Sequence, residues 1–251
     1  MPLGIKQGGI NSPEFFSCYF DGLTKLLREK KIGCHMYNIF LAIILFADDI
    51  CLLAPTRSTL DRLITLCSDY CSNHGLTFNP KKSKIMVFSG KRINLGELKP
   101  ITMAGKIIDY VDATTYLGTR VVSDNGLSFS SADDLLSFYR ASNAILNVAK
   151  KPSNEILMHL LYTNCIPTLT HACAVKEYPQ REMIDCNTAV NDAIRKIFTF
   201  NRWESVRELR KEFGYKALSE ISAEAKRKFC DQLLVHHNVI VRSIARFSSL
   251  E

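Results

Sequence analysis

Two adjacent aspartates, Asp48 and Asp49, lie inside the otherwise apolar stretch IILFADDICLLAP at residues 43–55. An unpaired buried carboxylate is costly, and two neighbouring carboxylates also repel each other. Two interpretations avoid that cost. The pair can lie at an exposed turn, where Asp is a favoured residue, or it can bind a divalent cation such as Mg²⁺, which prefers hard oxygen ligands. The residue types alone leave both interpretations open.

The segments around the pair predict a β-hairpin between two helices. Apolar β-formers on both sides of a short polar tip indicate two strands buried on both faces, and Pro55 ends the second strand. Before the hairpin, Ser12 is the expected N-cap of an amphipathic helix. After it, Ser58 and Asp61 are the expected capping pair of a second helix, which Gly75 terminates.

A basic segment follows at residues 81–106. It holds seven basic residues against one acid, Glu97, and the basic residues are Lys81, Lys82, Lys84, Lys91, Arg92, Lys99 and Lys106. Such a concentration of positive charge is typical of a phosphate-binding surface. From charge alone, a solvated face is an equally good interpretation.

The cysteines and the lengths of the apolar runs indicate the cellular environment of the chain. Nine cysteines without a CxxC pair fit a reducing, intracellular compartment, either cytoplasmic or nuclear. Cys67 and Cys71 share a helix face with apolar residues, as core cysteines do; a zinc site with His74 would lack a second ligand pair. No apolar run approaches the roughly 18 residues that span a bilayer, so no membrane partner is expected.

The character of the chain changes after about residue 130, where amphipathic helices are expected. They cover roughly residues 131–150, 153–174, 180–199, 203–213 and 216–237. The sequence therefore predicts an α+β fold in two domains, an α+β part at 1–125 and a helical part at 126–251.

Four short segments occur together in one order: GIKQGGINSP at 4–13, FADD at 46–49, GLTFNPKKSK at 75–84 and YLG at 116–118. In this order and rough spacing they resemble the palm of the reverse transcriptases of non-LTR (LINE-like) retrotransposons. Residues 191–215 resemble the region that follows the polymerase core in such elements. The resemblance implies a partial palm followed by a helical thumb. It also implies two-metal nucleotidyl transfer with Mg²⁺, an RNA template, a DNA primer and deoxynucleoside triphosphates.

The resemblance also assigns roles to individual residues. In the FADD box, which Phe46 opens, it implies that Asp48 is a catalytic metal ligand and that Asp49 supports the same metal site. The remaining assignments are expected contacts with the substrates. Gln7 and Gly8 would touch the template and the incoming nucleotide, and Phe46 and Lys81 would also contact substrate. Lys82, the third expected catalytic residue, would place a cation near the triphosphate or the leaving pyrophosphate, with Lys84 as a weaker candidate. Tyr116, Leu117 and Gly118 would steady the primer end.

One part of the family pattern does not occur in the sequence. The palms of this family carry a further metal-binding aspartate on a strand upstream of the QG loop, whereas Met1 here falls just before that loop. We therefore expect that the chain alone does not extend a primer. A non-catalytic nucleic-acid-binding remnant is the alternative, and a diguanylate cyclase-like palm is a weaker one because no GGDEF-like tip occurs.

Overall fold

The computed structural model describes residues 10–36, 39–91, 93–124, 126–148 and 152–248, without the side chains at 12, 13, 15, 16, 247 and 248. It divides into two compact units. The first unit comprises Met1–Ile85 with Asn94–Val111, and the second comprises Met86–Ile93 with Asp112–Glu251. The sheets and helices confirm the predicted α+β class. The domain boundary at residue 125 stays a prediction.

The first unit combines short strands, most of them paired antiparallel, with two helices; Lys84–Ile85 pairs in parallel with Lys106–Tyr110. The helices are α1 (Ser12–Lys30) and α2 (Arg57–Asn73). The strands are β1 (His35–Met36), β2 (Ile39–Phe40), β3 (Ile43–Phe46), β4 (Asp49–Leu52), β5 (Lys84–Ile85), β6 (Ile101–Met103) and β7 (Lys106–Tyr110), with a 3₁₀ turn at Leu95–Glu97. β1 pairs with β2 and β3 pairs with β4, while β7 lies between β6 and β5.

The helix ends differ from the predictions at their N-termini. α1 begins at Ser12, so Ser12 is not its cap; Asn11 takes that position without a side-chain capping bond. At α2 the hydroxyl of Thr56 accepts a hydrogen bond from the Thr59 N–H at 3.2 Å. The expected pair Ser58 and Asp61 is therefore wrong, because both residues already lie inside the helix.

The predicted stop of α2 at Gly75 is confirmed. Gly75 adopts a φ of +71°, a conformation that favours glycine. Just beyond it, the Leu76 N–H donates to the Cys71 carbonyl at 2.8 Å. This bond satisfies one of the carbonyls that the helix end would otherwise leave without a partner.

The core of the first unit lies between α1, α2 and one face of the β3–β4 hairpin. Its buried side chains include Leu23 and Leu27 of α1, with Leu63, Cys67 and Cys71 of α2. The prediction that the two cysteines are core residues is confirmed. Burial raises the pKa of the Cys67 thiol to about 12, so this sulfur stays protonated and inert at neutral pH.

The second unit begins with a three-stranded sheet and continues as helices. The sheet contains β8 (Ala113–Tyr116), β9 (Thr119–Ser123) and β10 (Leu127–Phe129), with β9 in the centre. The helices are α3 (Ala132–Leu146), α4 (Asn154–Leu160), α5 (Ile166–Thr170), α6 (Gln180–Phe198), α7 (Arg207–Glu212), α8 (Leu218–Leu234) and α9 (Val239–Ser248).

The helices of this unit pack around one apolar core. Its fully buried members include Phe138, Met158, Leu161, Cys165 and Ile194. The helix expected at 153–174 is interrupted by a π turn at Leu161–Cys165. The proline that follows at position 167 has no N–H, which removes one bond from the helical ladder.

α9 was not among the expected helices. No helix in the described ranges is both long enough and apolar enough to cross a bilayer.

Candidate functional site

The aspartate pair lies at the tip of the β3–β4 hairpin. Phe46 pairs with Asp49 across the two strands, which leaves Ala47 and Asp48 as a two-residue turn. Asp48 and Asp49 are both exposed. The predicted tip is confirmed, with the refinement that Asp49 is the first residue of β4.

The two faces of this hairpin differ, so the prediction of strands buried on both faces is wrong. Ile43 and Leu45 pack against the core, whereas Ile44 and Phe46 are 45% and 60% exposed. The reason is that helices cover one face, so the side chains alternate along β3. Phe46 therefore faces outward beside the aspartates.

The turn is held in a conformation that is unfavourable for its sequence. Ala47 has a φ of +49°, a left-handed value that costs an L-residue other than glycine roughly 1–2 kcal/mol. At the opposite end of the hairpin, the Leu53 N–H donates to the Ala42 carbonyl at 2.8 Å, and the Cys34 N–H donates to the Leu53 carbonyl at 3.1 Å. The hairpin is thus fixed at its base and presents the carboxylates on a tight turn.

The two carboxylates meet neither a hydrogen-bond donor nor a cation among the described side chains. The residues that the structure describes contain no cluster of three or more His, Cys, Asp or Glu side chains that could hold a metal ion. Two exposed carboxylates nevertheless fit the donor set of Mg²⁺, which commonly uses one or two protein carboxylates together with water and substrate phosphates. Asp48 and Asp49 are the residues that could hold such an ion.

A cavity of about 210 Å³ lies between α1 and the hairpin. Its lining residues are Ser17, Phe20, Asp21, Thr24, Leu45 and Ala47. Asp21 is paired with Lys25 at 2.6 Å on the same helix. The polar side of α1 therefore borders the turn that carries Asp48.

The predicted lysines follow a turn that Asn79 organises. The Asn79 side-chain oxygen accepts from the Lys81 N–H at 3.1 Å, and its carbonyl accepts from the Lys82 N–H at 3.1 Å. Lys81 and Lys82 are exposed, and neither ammonium has a carboxylate partner in the described ranges. Lys84 differs, because its ammonium pairs with Asp109 at 2.7 Å.

The segment Tyr116, Leu117 and Gly118 lies in the second unit, at the β8–β9 turn. Leu117 and Gly118 form the two-residue turn with φ values of +48° and +74°, the left-handed pair of a type I′ hairpin. His171 packs on this turn: its Nε2 lies 3.4 Å from the Leu117 carbonyl and would lie 3.1 Å from a Cβ at Gly118.

Not every predicted site residue can be placed. Gln7 and Gly8 lie outside the described residues. Two features of the remaining site were not expected from the sequence, namely the left-handed backbone of Ala47 and the contact of His171 with the turn. An alanine gives no signal for positive φ, and a histidine 54 residues from Leu117 gives none for contact.

Comparison with known proteins relates the chain to one family. Residues 2–121 match the family model described as reverse transcriptase (RNA-dependent DNA polymerase). Pol polyproteins of the type-1 retrotransposable element R2 are 25% identical over 205 residues in Popillia japonica and 32% over 122 residues in Nasonia vitripennis. These alignments cover 79% and 46% of this chain, and 33% and 12% of the respective relatives.

A third relative gives the same picture. The Pol polyprotein of the type-2 retrotransposable element R2DM of Drosophila melanogaster is 28% identical over 179 residues, which are 68% of this chain and 16% of the relative. The chain thus spans a third or less of the length of these curated relatives.

Proposed function

Because residues 2–121 belong to the reverse transcriptase (RNA-dependent DNA polymerase) family, with non-LTR R2 elements as relatives, we propose that the β3–β4 hairpin serves nucleotidyl transfer. In this proposal Asp48 and Asp49 bind Mg²⁺ together with the phosphates of a deoxynucleoside triphosphate. The reaction class is RNA-directed DNA synthesis on a DNA primer. The observation that carries the proposal is the tight turn that exposes two carboxylates, for which the described side chains supply no partner.

Individual residues have separate roles in this proposal. When bound, Mg²⁺ supplies the positive charge that activates a primer 3′-hydroxyl and stabilises the leaving pyrophosphate. Asp48 and Asp49 hold that charge at a fixed point, because the turn and the hairpin base leave the backbone little freedom. Lys82 offers the triphosphate an exposed ammonium that has no carboxylate partner among the residues the structure describes, and the neighbouring Lys81 offers another.

The other predicted contacts complete the proposal. Phe46 is an exposed apolar neighbour of the carboxylates and suits contact with a nucleotide. Gln7 and Gly8 are proposed to touch the template and the incoming nucleotide, as the family resemblance implies. Tyr116, Leu117 and Gly118 are proposed to steady the primer end, on a turn that His171 supports.

Nucleotide binding tests the proposal without requiring turnover. The full chain is titrated with a fluorescent deoxynucleoside triphosphate in the presence of Mg²⁺ and again in the presence of EDTA. We expect binding that depends on Mg²⁺, since triphosphate and carboxylates would otherwise repel each other. Equal binding in both buffers contradicts the proposal.

A second candidate function is nucleic-acid binding without chemistry. The observation that favours it is the turn at residues 79–82, which exposes the ammonium groups of Lys81 and Lys82 with no carboxylate partner in the described part of the chain. Such groups bind phosphate oxygens whether or not a metal site is complete. The function would then depend on the turn at residues 79–82, called the lysine turn below, rather than on the hairpin tip.

The lysine turn leads to a prediction about salt dependence. Replacing Lys81 and Lys82 together with alanine should weaken RNA binding at low salt and lower the slope of log affinity against log salt by about two, one for each lost phosphate contact. Fluorescence anisotropy of a labelled oligonucleotide at several salt concentrations measures this slope.

The matched control is Lys84→Ala. Its ammonium is already paired with Asp109, so the slope should change less than for either of the other lysines. If the double variant shows the same slope as the wild type, the lysine turn is not part of the binding surface.

A further inference from the structure

The single tryptophan of the chain lies fully on the surface. Trp203 is 82% exposed, in the loop 199–206 between α6 and α7. Aromatic side chains of this size contribute most when they are buried, each covering about 150–250 Å². Because Trp203 is exposed, the free energy of burying its indole is not gained within the described structure. A ligand that covers the indole would gain it.

The loop that carries Trp203 is ordered by its own hydrogen bonds. The Arg195 guanidinium donates through Nε to the Glu204 carbonyl at 3.0 Å, and the Glu204 N–H donates to the Asn201 carbonyl at 3.1 Å. The Glu204 carboxylate in turn accepts from the Asn201 N–H. These bonds close a turn over residues 201–204, and the indole projects from that turn.

The ends of the loop are also fixed. Thr199 terminates α6 in a left-handed conformation with a φ of +56°, and its N–H donates to the Arg195 carbonyl. At the other end Val206 is buried, with 3% exposure, in the core of the second unit. An ordered loop with an exposed aromatic ring loses little conformational entropy when a ligand binds.

The sequence on both sides of Trp203 is basic. Residues 195–211 contain six basic residues against two glutamates. Two of the basic side chains have carboxylate partners, Arg195 with Asp192 and Lys211 with Glu208. Three others are exposed and have no carboxylate partner within the described ranges: Lys196, Arg202 and Arg207.

We propose that Trp203 is a stacking platform for an unpaired base of a single-stranded nucleic acid, with Lys196, Arg202 and Arg207 available to its phosphates. Exposed aromatic rings beside basic side chains bind single strands in this way, because every base offers a π-face and every linkage offers a negative charge. Base pairs in a duplex are stacked on each other and do not offer that face. The site goes beyond the proposed nucleotidyl transfer, since it involves neither the two aspartates nor a metal ion.

Intrinsic fluorescence tests the proposal directly, because Trp203 is the only tryptophan in the chain. Titration of the full chain with a single-stranded oligonucleotide in EDTA should quench its emission, whereas a blunt duplex of the same sequence should quench it much less. Anisotropy of a labelled strand should show an affinity loss of about tenfold for Trp203→Ala. Trp203→Phe keeps an aromatic face and should therefore retain most of the wild-type affinity for the strand.

The control variant is Tyr139→Ala, which removes another exposed aromatic ring of the second unit. It should leave the affinity unchanged. Because the titration is run in EDTA, it does not depend on the metal site, and a failure of that site cannot be mistaken for a failure of this one.

Three results would overturn the proposal. One is unchanged emission at strand concentrations where anisotropy shows saturation. Another is an affinity of Trp203→Ala equal to that of the wild type. The third is an emission shift that depends on protein concentration without nucleic acid, which would assign the indole to contact between two copies of the chain.

Discussion

Asp48→Asn is expected to weaken the Mg²⁺-dependent binding of a deoxynucleoside triphosphate by about tenfold or more. Asparagine keeps the size of the side chain and suits a turn, but it removes the charge that a hard divalent cation requires. Removing a group that only orients a metal ligand already lowers the metal affinity roughly 10- to 100-fold in many sites. Removal of a ligand should cost at least as much. Calorimetric titration of the full chain with the nucleotide, with Mg²⁺ or with EDTA, gives the affinities.

Asp109→Asn is the matched control for this variant. Asp109 is also an exposed carboxylate of the first unit, but it is paired with Lys84 at 2.7 Å and lies on β7. The affinity of Asp109→Asn should equal that of the wild type. If both variants lose affinity equally, the effect is one of general charge and the hairpin tip has no special role.

Gly33→Ala is expected to lower the free energy of unfolding of the first unit by about 3 kcal/mol or more. Gly33 has a φ of +125°, and a Cβ there would lie 2.1 Å from the Cβ of the buried Ala42. Backbone strain and overpacking each cost roughly 1–3 kcal/mol. Because the same Cβ would also crowd the Leu53 carbonyl at 3.2 Å, the base of the β3–β4 hairpin would have to open.

Urea unfolding of the full chain, followed by circular dichroism, measures this loss. Gly75→Ala is the control, since it also replaces a glycine of positive φ, at +71°, but has nothing within 4 Å of the added Cβ. Its cost should be only about 1–2 kcal/mol, the left-handed penalty alone. If Gly33→Ala costs no more than Gly75→Ala, the hairpin base is not closely packed at Gly33.

Local patterns predicted the elements that depend on neighbouring residues. The hairpin tip followed from a short polar pair between apolar β-formers, and the end of α2 followed from Gly75. The N-cap of α2 was missed by two residues, because Thr56, Ser58 and Asp61 are all good capping residues by type. Only the extended backbone of Thr56 decides between them.

Features that depend on residues distant in the sequence were not predicted. The alternation of Ile43 and Ile44 between core and solvent depends on which face of the hairpin the helices cover. In the same way, local charge places Lys84 with Lys81 and Lys82, whereas in the structure Asp109, 25 residues away, pairs with Lys84. Neither fact can be obtained from periodicity or from local charge.

The metal-binding role of Asp48 and Asp49 can be tested most directly by paramagnetic broadening. Mn²⁺ replaces Mg²⁺ at oxygen-ligand sites, and it broadens the NMR signals of nearby amides. With a deoxynucleoside triphosphate present, substoichiometric Mn²⁺ should broaden the amide signals of residues 46–50 first, and this selective broadening should disappear in Asp48→Asn. Broadening centred on other residues, or unchanged by the substitution, would contradict a metal site at the hairpin tip.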